Sequence, residues 1–313
     1  MHPSLSVIFF TTASGTGYGL LALVGILAPL GAAPADWRFG LVALALALAA
    51  ITVGLLSSLF HLGHKQRAWR ALSQWRSSWL SREGVAAIVT YGPAGLFAAA
   101  WVFAGTLSAP LGLLAALGAA ATVYCTAMIY RSLKPVPRWH NGWVVPNYLA
   151  LALMGGSVWL ALVAQFFGSQ RGLDILAVAA IAVAAALKLA YWRHIDSAQS
   201  ATTSTPETAT GLGAIGKVRL FEAPHTSENY LLKEMGFQIA RKHAMKLRRL
   251  ALLLGFALPA LLSAVPLVVS GWPAVGALLA AAPLATIGIF VERWLFFAEA
   301  RHAVTLYYGG ALA

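Results

Sequence analysis

Residues 38–60 read RFGLVALALALAAITVGLLSSLF, a stretch of 23 residues whose only charge is at its first position. A helix needs about 20 mostly apolar residues to cross the hydrocarbon core of a bilayer. The stretch therefore predicts a transmembrane helix. It decides the fold class because segments of the same character recur along the whole chain.

Seven further segments are similarly long and apolar, so eight transmembrane helices are predicted. The approximate bounds of all eight are 6–30, 38–60, 84–106, 109–131, 145–167, 173–194, 249–271 and 274–298. Only 10% of the 313 residues are charged, against about 25% in a typical soluble domain. We predict an all-α polytopic membrane protein in which residues 1–313 form a single eight-helix bundle.

Positive charge is distributed very unequally between the predicted loops. Eighteen of the 22 Lys and Arg residues lie in loops or tails on one side, whereas the other side has only Arg38 and Arg171. Because positively charged loops stay in the cytoplasm, both termini are predicted to be cytoplasmic. This orientation also accounts for the net charge of +12, so no nucleic-acid partner is expected.

The distribution of cysteine and histidine predicts no metal, haem or iron–sulfur cluster in this chain. A single cysteine, Cys125, cannot form an iron–sulfur cluster or a thiolate zinc site. All eight histidines fall in loops or at helix ends on the basic side, whereas a transmembrane haem needs facing histidines inside the bundle. A redox role would therefore depend on a diffusible carrier.

Two connections are long, and the first is HLGHKQRAWRALSQWRSSWLSRE (residues 61–83). Within it Ala68, Leu72, Trp75 and Trp79 lie on one face of a helix, and basic and polar residues cover the other face. This pattern predicts an interfacial amphipathic helix. Two roles remain open: the helix anchors the chain to lipid, or it covers a pocket between spans and faces a partner.

The second long connection is residues 195–248, in which 197–216 are rich in Ser, Thr, Ala and Gly and predict a flexible linker. A second cytoplasmic helix is predicted to begin near Thr226 or Ser227 and to run into the seventh span. Its basic residues predict either a lipid-facing stop or a docking surface for an acidic soluble subunit.

Charged residues inside spans are costly and indicate functional sites. A non-functional role is the alternative for each charge in a span. Lys188 and Arg293 could extend to the lipid headgroups, and Glu292 could form a structural salt bridge. Other polar residues expected at the same depth are Thr11, Thr12, Ser14, His61, Glu83, Tyr91, Tyr124, Tyr130 and Arg131. A polar layer above apolar walls favours an amphiphilic ligand such as a quinone. Reduction of a quinone takes up two protons, and a histidine and a carboxylate can exchange them. His61 could instead cap a helix end.

Several motifs occur in a specific order along the chain: HLG at 61–63, Arg67–Ala68, LSREG at 80–84, YRSLKPVPRW at 130–139 and ERWLFF at 292–297. In this combination the chain resembles the membrane-anchor subunits of dimethyl sulfoxide reductase. Its opening, MHPSLSVIFFTT, is similar to the anchor subunit of sulfite:quinone oxidoreductase. The resemblance covers nearly the whole chain.

The resemblance implies an eight-helix subunit of a bacterial inner-membrane complex. Such an anchor holds an iron–sulfur electron-transfer subunit and a molybdopterin catalytic subunit at the lipid membrane, and it binds menaquinone or ubiquinone. It does no chemistry on the sulfur compound. His61 and Glu83 match the quinol-associated positions. Further candidate quinone-site residues are Arg67, Tyr91, Tyr130, Arg131 and Arg293.

The basic side is also expected to dock the iron–sulfur subunit. The candidate docking residues are Arg70, Arg76, Arg138, Trp139, Arg241 and Lys242. Two other functions remain possible from the residues alone. Proline residues in spans and the intramembrane charges are compatible with a secondary transporter, and His61 with Glu83 could act in a lipid-modifying enzyme. The quinone, the sulfur compound and the direction of electron flow stay open.

Overall fold

The computed structural model describes residues 4–61, 64–197, 205–222 and 243–308. Within these ranges, eight helices are long and apolar enough to cross a membrane. They are α1 (Leu5–Leu27), α2 (Trp37–Ser58), α3 (Trp79–Ala104), α4 (Ala109–Arg131), α5 (Val144–Gln165), α6 (Arg171–Asp196), α7 (Ala244–Leu267) and α8 (Trp272–Ala298). Each helix overlaps one predicted span, so the all-α, eight-helix membrane fold is confirmed.

Helices α1 and α5 form the centre of the bundle. Helix α1 packs against α2, α4, α5 and α8, and α5 packs against α1, α4, α6 and α8. Glycines allow this close contact: a Cβ atom on Gly19 would overlap the carbonyl of Ala152, and one on Gly25 would overlap the backbone of Gly112 in α4. Small residues commonly let helix backbones approach in this way in membranes.

Helix α7 is irregular between Leu253 and Ala257, where one turn is a π-helix. Pro259 follows this turn and cannot donate a hydrogen bond to the carbonyl of Gly255, four residues earlier. At the same place Gly255 packs directly against Gly288 of α8. The irregular turn and the glycine pair together fit α7 closely against α8.

We call the end of the bundle where α1 begins and α8 ends the basic end. A partly buried ion-pair network connects its elements. Arg248 of α7 binds Asp196 at 2.5 Å, at the end of α6, and Glu299 at 2.8 Å, just after α8. Arg138, in the loop between α4 and α5, also contacts Glu299 at 3.4 Å. The network therefore connects three helix ends and one loop.

The first long connection differs from its predicted form. Lys65–Gln74 form a 3-10 helix that ends before Trp75, and Trp79 is the first residue of α3. The predicted apolar face from Ala68 to Trp79 is therefore divided. The side chain of Arg82 donates to the carbonyls of Trp75 at 3.0 Å and Arg76 at 2.7 Å, so side-chain hydrogen bonds satisfy these carbonyls where the helix stops.

The second long connection is described only in part. Pro206–Thr210 form one helical turn with a capping box between Thr205 and Thr208, inside the segment predicted as a linker. The predicted helix beginning at Thr226 or Ser227 lies outside the described residues, and so do Arg241 and Lys242. Both interfacial placements stay predictions.

Candidate functional site

Glu83 is a buried carboxylic acid near the basic end of the bundle. It lies four residues into α3, which corresponds to about 6 Å of helix rise, and only 4% of its surface is exposed. The Thr126 hydroxyl of α4 donates a hydrogen bond to the Glu83 carboxylate. Among the described residues no cation pairs with Glu83. Its carboxyl group can therefore gain or lose a proton without breaking an ion pair.

Residues 64–78, which we call the basic segment, pack over the start of α3. Leu72 contacts the backbone of Gly84, next to Glu83, and the Ser81 hydroxyl donates to the carbonyl of Ala71. Trp69 and Trp75 are 65% and 52% exposed. The segment thus packs on α3 through Leu72 and exposes Trp69 and Trp75. This geometry is compatible with both predicted roles, anchoring to lipid and covering a pocket that faces a partner.

The backbone of His61 ends a short 3-10 turn, Leu59–His61, that continues α2. This turn contacts the first half of the bundle through α1 and also contacts the basic segment. His61 is therefore at the same end of the bundle as Glu83. The His61 side chain lies outside what the structure describes, so the predicted approach of the imidazole to the Glu83 carboxylate stays a prediction.

Tyr91 lies two turns deeper than Glu83 and links two helices. Its hydroxyl is 2.6 Å from the hydroxyl of Thr52 in α2. Tyr18 of α1 is also buried in the bundle, with 3% of its surface exposed. Polar side chains from α1, α2 and α3 therefore continue below Glu83 toward the interior.

A small cavity, which we call the polar cavity, lies between α1, α4, α5 and α8. Its volume is about 20 Å³, and its polar lining includes Thr12, Thr16, Tyr148, Arg293 and the Glu83 partner Thr126. Such a volume holds a water molecule, but it is far smaller than the several hundred Å³ of a typical ligand pocket. A quinone ring does not fit in it.

Lys188, Glu292 and Arg293, which we call the charged triad, form one buried cluster. The Lys188 ammonium pairs with one oxygen of Glu292, and Arg293 Nε lies 2.5 Å from the other. Lys188 is 1% and Arg293 2% exposed, so neither extends to the lipid headgroups. Arg293 also lies 4.0 Å above the ring of Tyr148. With two cations and one carboxylate, the triad carries a formal charge of about +1.

Tyr130 and Arg131 have different surroundings although they are adjacent. Tyr130 is buried in an aromatic cluster, stacked on Tyr148 at 5.7 Å and edge-on to Trp139 at 5.2 Å. Arg131 is exposed, and its carbonyl accepts a hydrogen bond from His140 Nδ1. The structure thus places Tyr130 next to Tyr148, the ring that Arg293 also contacts, and leaves Arg131 outside this group.

The candidate docking residues also divide into two groups. Arg70 and Arg76, like Arg67, are exposed on the basic segment. In contrast, Trp139 is only 2% exposed and donates from its indole nitrogen to the carbonyl of Phe296 at 2.9 Å. A tryptophan this buried offers no surface to a partner in this conformation, and Arg138 is engaged by Glu299 as described above.

Sequence reasoning missed Thr126 and Tyr148. Thr122, Thr126 and Tyr130 recur at four-residue spacing, so they form a polar stripe on one face of α4. That stripe was a usable signal for Thr126. Tyr148 had no comparable signal, because its neighbour Arg293 is distant in sequence.

Two comparisons with known proteins agree with this architecture. The model of a family described as DMSO reductase anchor subunit (DmsC) matches residues 1–299. A sulfite dehydrogenase subunit of Allochromatium vinosum is 34% identical over 330 aligned positions, which cover 98% of this chain and 99% of that protein. Both similarities extend over essentially the whole bundle, including the region of His61 and Glu83.

Proposed function

The chain belongs to the family of DMSO reductase anchor subunits, and on this premise we propose that it anchors a quinone-linked molybdenum and iron–sulfur oxidoreductase in the bacterial inner membrane. The complex would be of the sulfite dehydrogenase or dimethyl sulfoxide reductase type. The chain would pass electrons between the quinone pool and a docked iron–sulfur subunit, while the chemistry on the sulfur compound takes place in a molybdopterin subunit.

The observation that carries this proposal is the position of Glu83, which is buried beneath the basic segment with a hydroxyl as its partner. Oxidation of a quinol releases two electrons and two protons, and reduction of a quinone takes them up. We assign one proton to the Glu83 carboxylate and the other to His61. Because the polar cavity is too small for a quinone ring, we place the ring on the His61 side of Glu83, under the basic segment.

Docking of the iron–sulfur subunit is assigned to the outer side of the same segment. Arg67, Arg70 and Arg76 are exposed there, and a cluster of cations attracts an acidic partner surface. The exposed Trp69 and Trp75 can contact either the partner or lipid headgroups. Since one segment would cover the quinone and bind the partner, the electrons would have a short path between them. The termini and the basic end would face the cytoplasm, as the charge asymmetry predicts.

The test is Glu83→Gln in the complete complex. We expect quinone-linked turnover to fall by about 100-fold, since proton transfer by a positioned side chain contributes about 10²- to 10⁴-fold. Turnover with a soluble electron carrier that reacts directly with the partner subunits should remain. The matched control is Asp174→Asn, a buried carboxylate at the opposite end of the bundle that pairs with Gln165 at 3.2 Å. Unchanged quinone-linked turnover in an assembled Glu83→Gln complex would remove the site assignment.

Secondary transport is the second candidate, and the irregular turn of α7 is the observation that favours it, because transporters use interrupted helices. Family membership favours the anchor function instead. Liposomes that contain this chain alone separate the two, because an anchor subunit should show no counterflow of sulfite or sulfate. Measured counterflow would support the transporter.

A further inference from the structure

Several buried polar atoms around the polar cavity have no hydrogen-bond partner in the described part of the protein. They include the hydroxyls of Thr12 and Thr16 and the Nη2 atom of Arg293. The hydroxyls of Tyr18 and Tyr148 lie near Thr122 and Arg293, but without hydrogen-bonding geometry. All five side chains are more than nine-tenths buried. Buried polar groups nearly always bind protein or ordered water, so this set indicates a bound molecule.

The size of the cavity limits what can bind. A volume of about 20 Å³ exceeds the roughly 10–15 Å³ that one water requires, and a buried water usually makes two to four hydrogen bonds. Hydroxyl groups can both donate and accept, and the arginine nitrogen donates. The lining therefore offers a water molecule all the partners that it needs.

Thr126 connects this cavity to Glu83. Its hydroxyl lines the cavity, donates to the Glu83 carboxylate and lies 3.0 Å from the carbonyl of Thr122. A hydroxyl has one hydrogen, so it cannot donate to both acceptors at once. If Glu83 gains a proton, the new O–H group can donate to the Thr126 oxygen. The Thr126 hydrogen must then turn to the Thr122 carbonyl or to a water in the cavity.

The buried charged groups at this end of the bundle differ in their partners. Arg293 belongs to the charged triad, whose two cations face one carboxylate. Glu299 is already paired with Arg248 and Arg138. Among the described carboxylates buried at the basic end, Glu83 is the one without a cationic partner. Glu83 can therefore change its protonation state without releasing a buried cation from its counterion.

We propose that the polar cavity binds ordered water that, together with Thr126, forms a hydrogen-bond switch between Glu83 and Arg293. In the ionised state Thr126 donates to Glu83, and water satisfies Thr12, Thr16 and Arg293. In the protonated state Glu83 donates to Thr126, and Thr126 donates to the water. In both states the hydroxyl hydrogen of Thr126 has an acceptor, so Glu83 can take and release a proton in every turnover without leaving Thr126 unpaired. Arg293 is thus a positioning residue that acts through water. This inference rests on the proposed role of Glu83.

The experiment is infrared difference spectroscopy of the complete complex as quinone is reduced and reoxidised, in H₂¹⁶O and H₂¹⁸O. Glu83→Gln identifies the carboxyl band of Glu83. We expect a water band that shifts in H₂¹⁸O, and we expect Thr12→Val with Thr16→Val to remove that band and to shift the Glu83 band. The control, Thr90→Val, removes a buried hydroxyl that does not line the cavity and should change neither band.

A high-resolution cryo-EM map of the unaltered complex gives a test that is independent of any variant. Density for water within reach of Thr16 and Arg293 is expected, and an empty or apolar-filled cavity would overturn the inference. The two proposals fail separately. If Glu83→Gln loses quinone-linked turnover but the threonine variants leave the water band unchanged, only the hydrogen-bond switch is rejected. If Glu83→Gln has normal quinone-linked turnover, the proposed quinone site is rejected instead, even if the cavity contains water.

Discussion

Glu83 and Glu292 lie at the same end of the bundle, and both are buried, but their partners differ. Glu292 is held by Lys188 and Arg293, whereas Glu83 accepts a hydrogen bond from Thr126. Protonation of Glu292 would leave two buried cations without their counterion, which is costly. Protonation of Glu83 breaks no ion pair. We therefore expect the charged triad to contribute mainly to stability, and we propose that the α3–α4 side of the basic end exchanges protons.

The largest effect should come from Glu292→Gln, which is expected to lower the free energy of unfolding by about 3–5 kcal/mol, because Lys188 and Arg293 lose their carboxylate. Glu83→Gln keeps a hydrogen-bond acceptor for Thr126, so it should change the free energy of unfolding by no more than about 1 kcal/mol. Thermal unfolding of the two purified variants measures the contrast. Equal unfolding temperatures would show that Glu292 contributes no more to stability than Glu83 does.

The next largest effect is expected for quinone-linked turnover when His61 is replaced. His61→Ala should abolish quinone-linked turnover, a loss of at least about 100-fold, while assembly of the complex survives. His64→Ala is the matched control, because His64 is exposed on the same connection three residues away. Wild-type rates of quinone oxidation or reduction in His61→Ala would rule out the assignment.

A smaller effect is expected when the Glu83 partner changes and the carboxylate stays. Thr126→Val preserves the shape of the side chain but removes the hydrogen bond to Glu83. We expect quinone-linked turnover to fall by about 10-fold, which corresponds to about 1.4 kcal/mol in the barrier. Steady-state kinetics measure it, with Thr90→Val as the isosteric control on α3. If both threonine variants lose the same activity, the effect of Thr126 is not specific to Glu83.

The smallest effect concerns the surface above the site. Arg70→Gln with Arg76→Gln should weaken association with the partner subunit by a few-fold, since exposed charges contribute about 0.2–1 kcal/mol each. The loss should vanish at high salt, where the Debye length falls to about 3 Å. Binding measured at two ionic strengths checks this, and Arg38→Gln at the opposite end is the control. A loss that is independent of salt would contradict an electrostatic role.

Hydropathy alone was sufficient to predict the eight spans, because the bilayer imposes a length and an apolar character on each spanning helix. The importance of Lys188, Glu292 and Arg293 was also visible, since charges in spans are costly. Their pairing was not visible. Lys188 and Glu292 are more than 100 positions apart in sequence, and they meet only because α6 and α8 both pack against α5 and α7.

Local structure near the site was harder to predict for a different reason. The periodicity of residues 64–80 fits an amphipathic α-helix, but the Arg82 side chain competes for the carbonyls that would continue it. Such side-chain to backbone bonds leave little trace in an apolar pattern. Likewise, Trp139 reads as an exposed loop residue until the aromatic cluster around Tyr130 is known.

The contact between Gly25 and Gly112 bears on how the membrane voltage acts on the protein. The two backbones touch at the end of the bundle opposite to Glu83, and this leaves no room for water between α1 and α4 at that point. Glu83 lies only about 6 Å along α3 from the basic end, so most of the bilayer thickness, and with it most of the field, should lie between Glu83 and this closed end. Glu83 would be close to the potential of the solution at the basic end. A proton that moves between Glu83 and that solution crosses little of the field, so its transfer should cost nearly the same in energised and de-energised membranes.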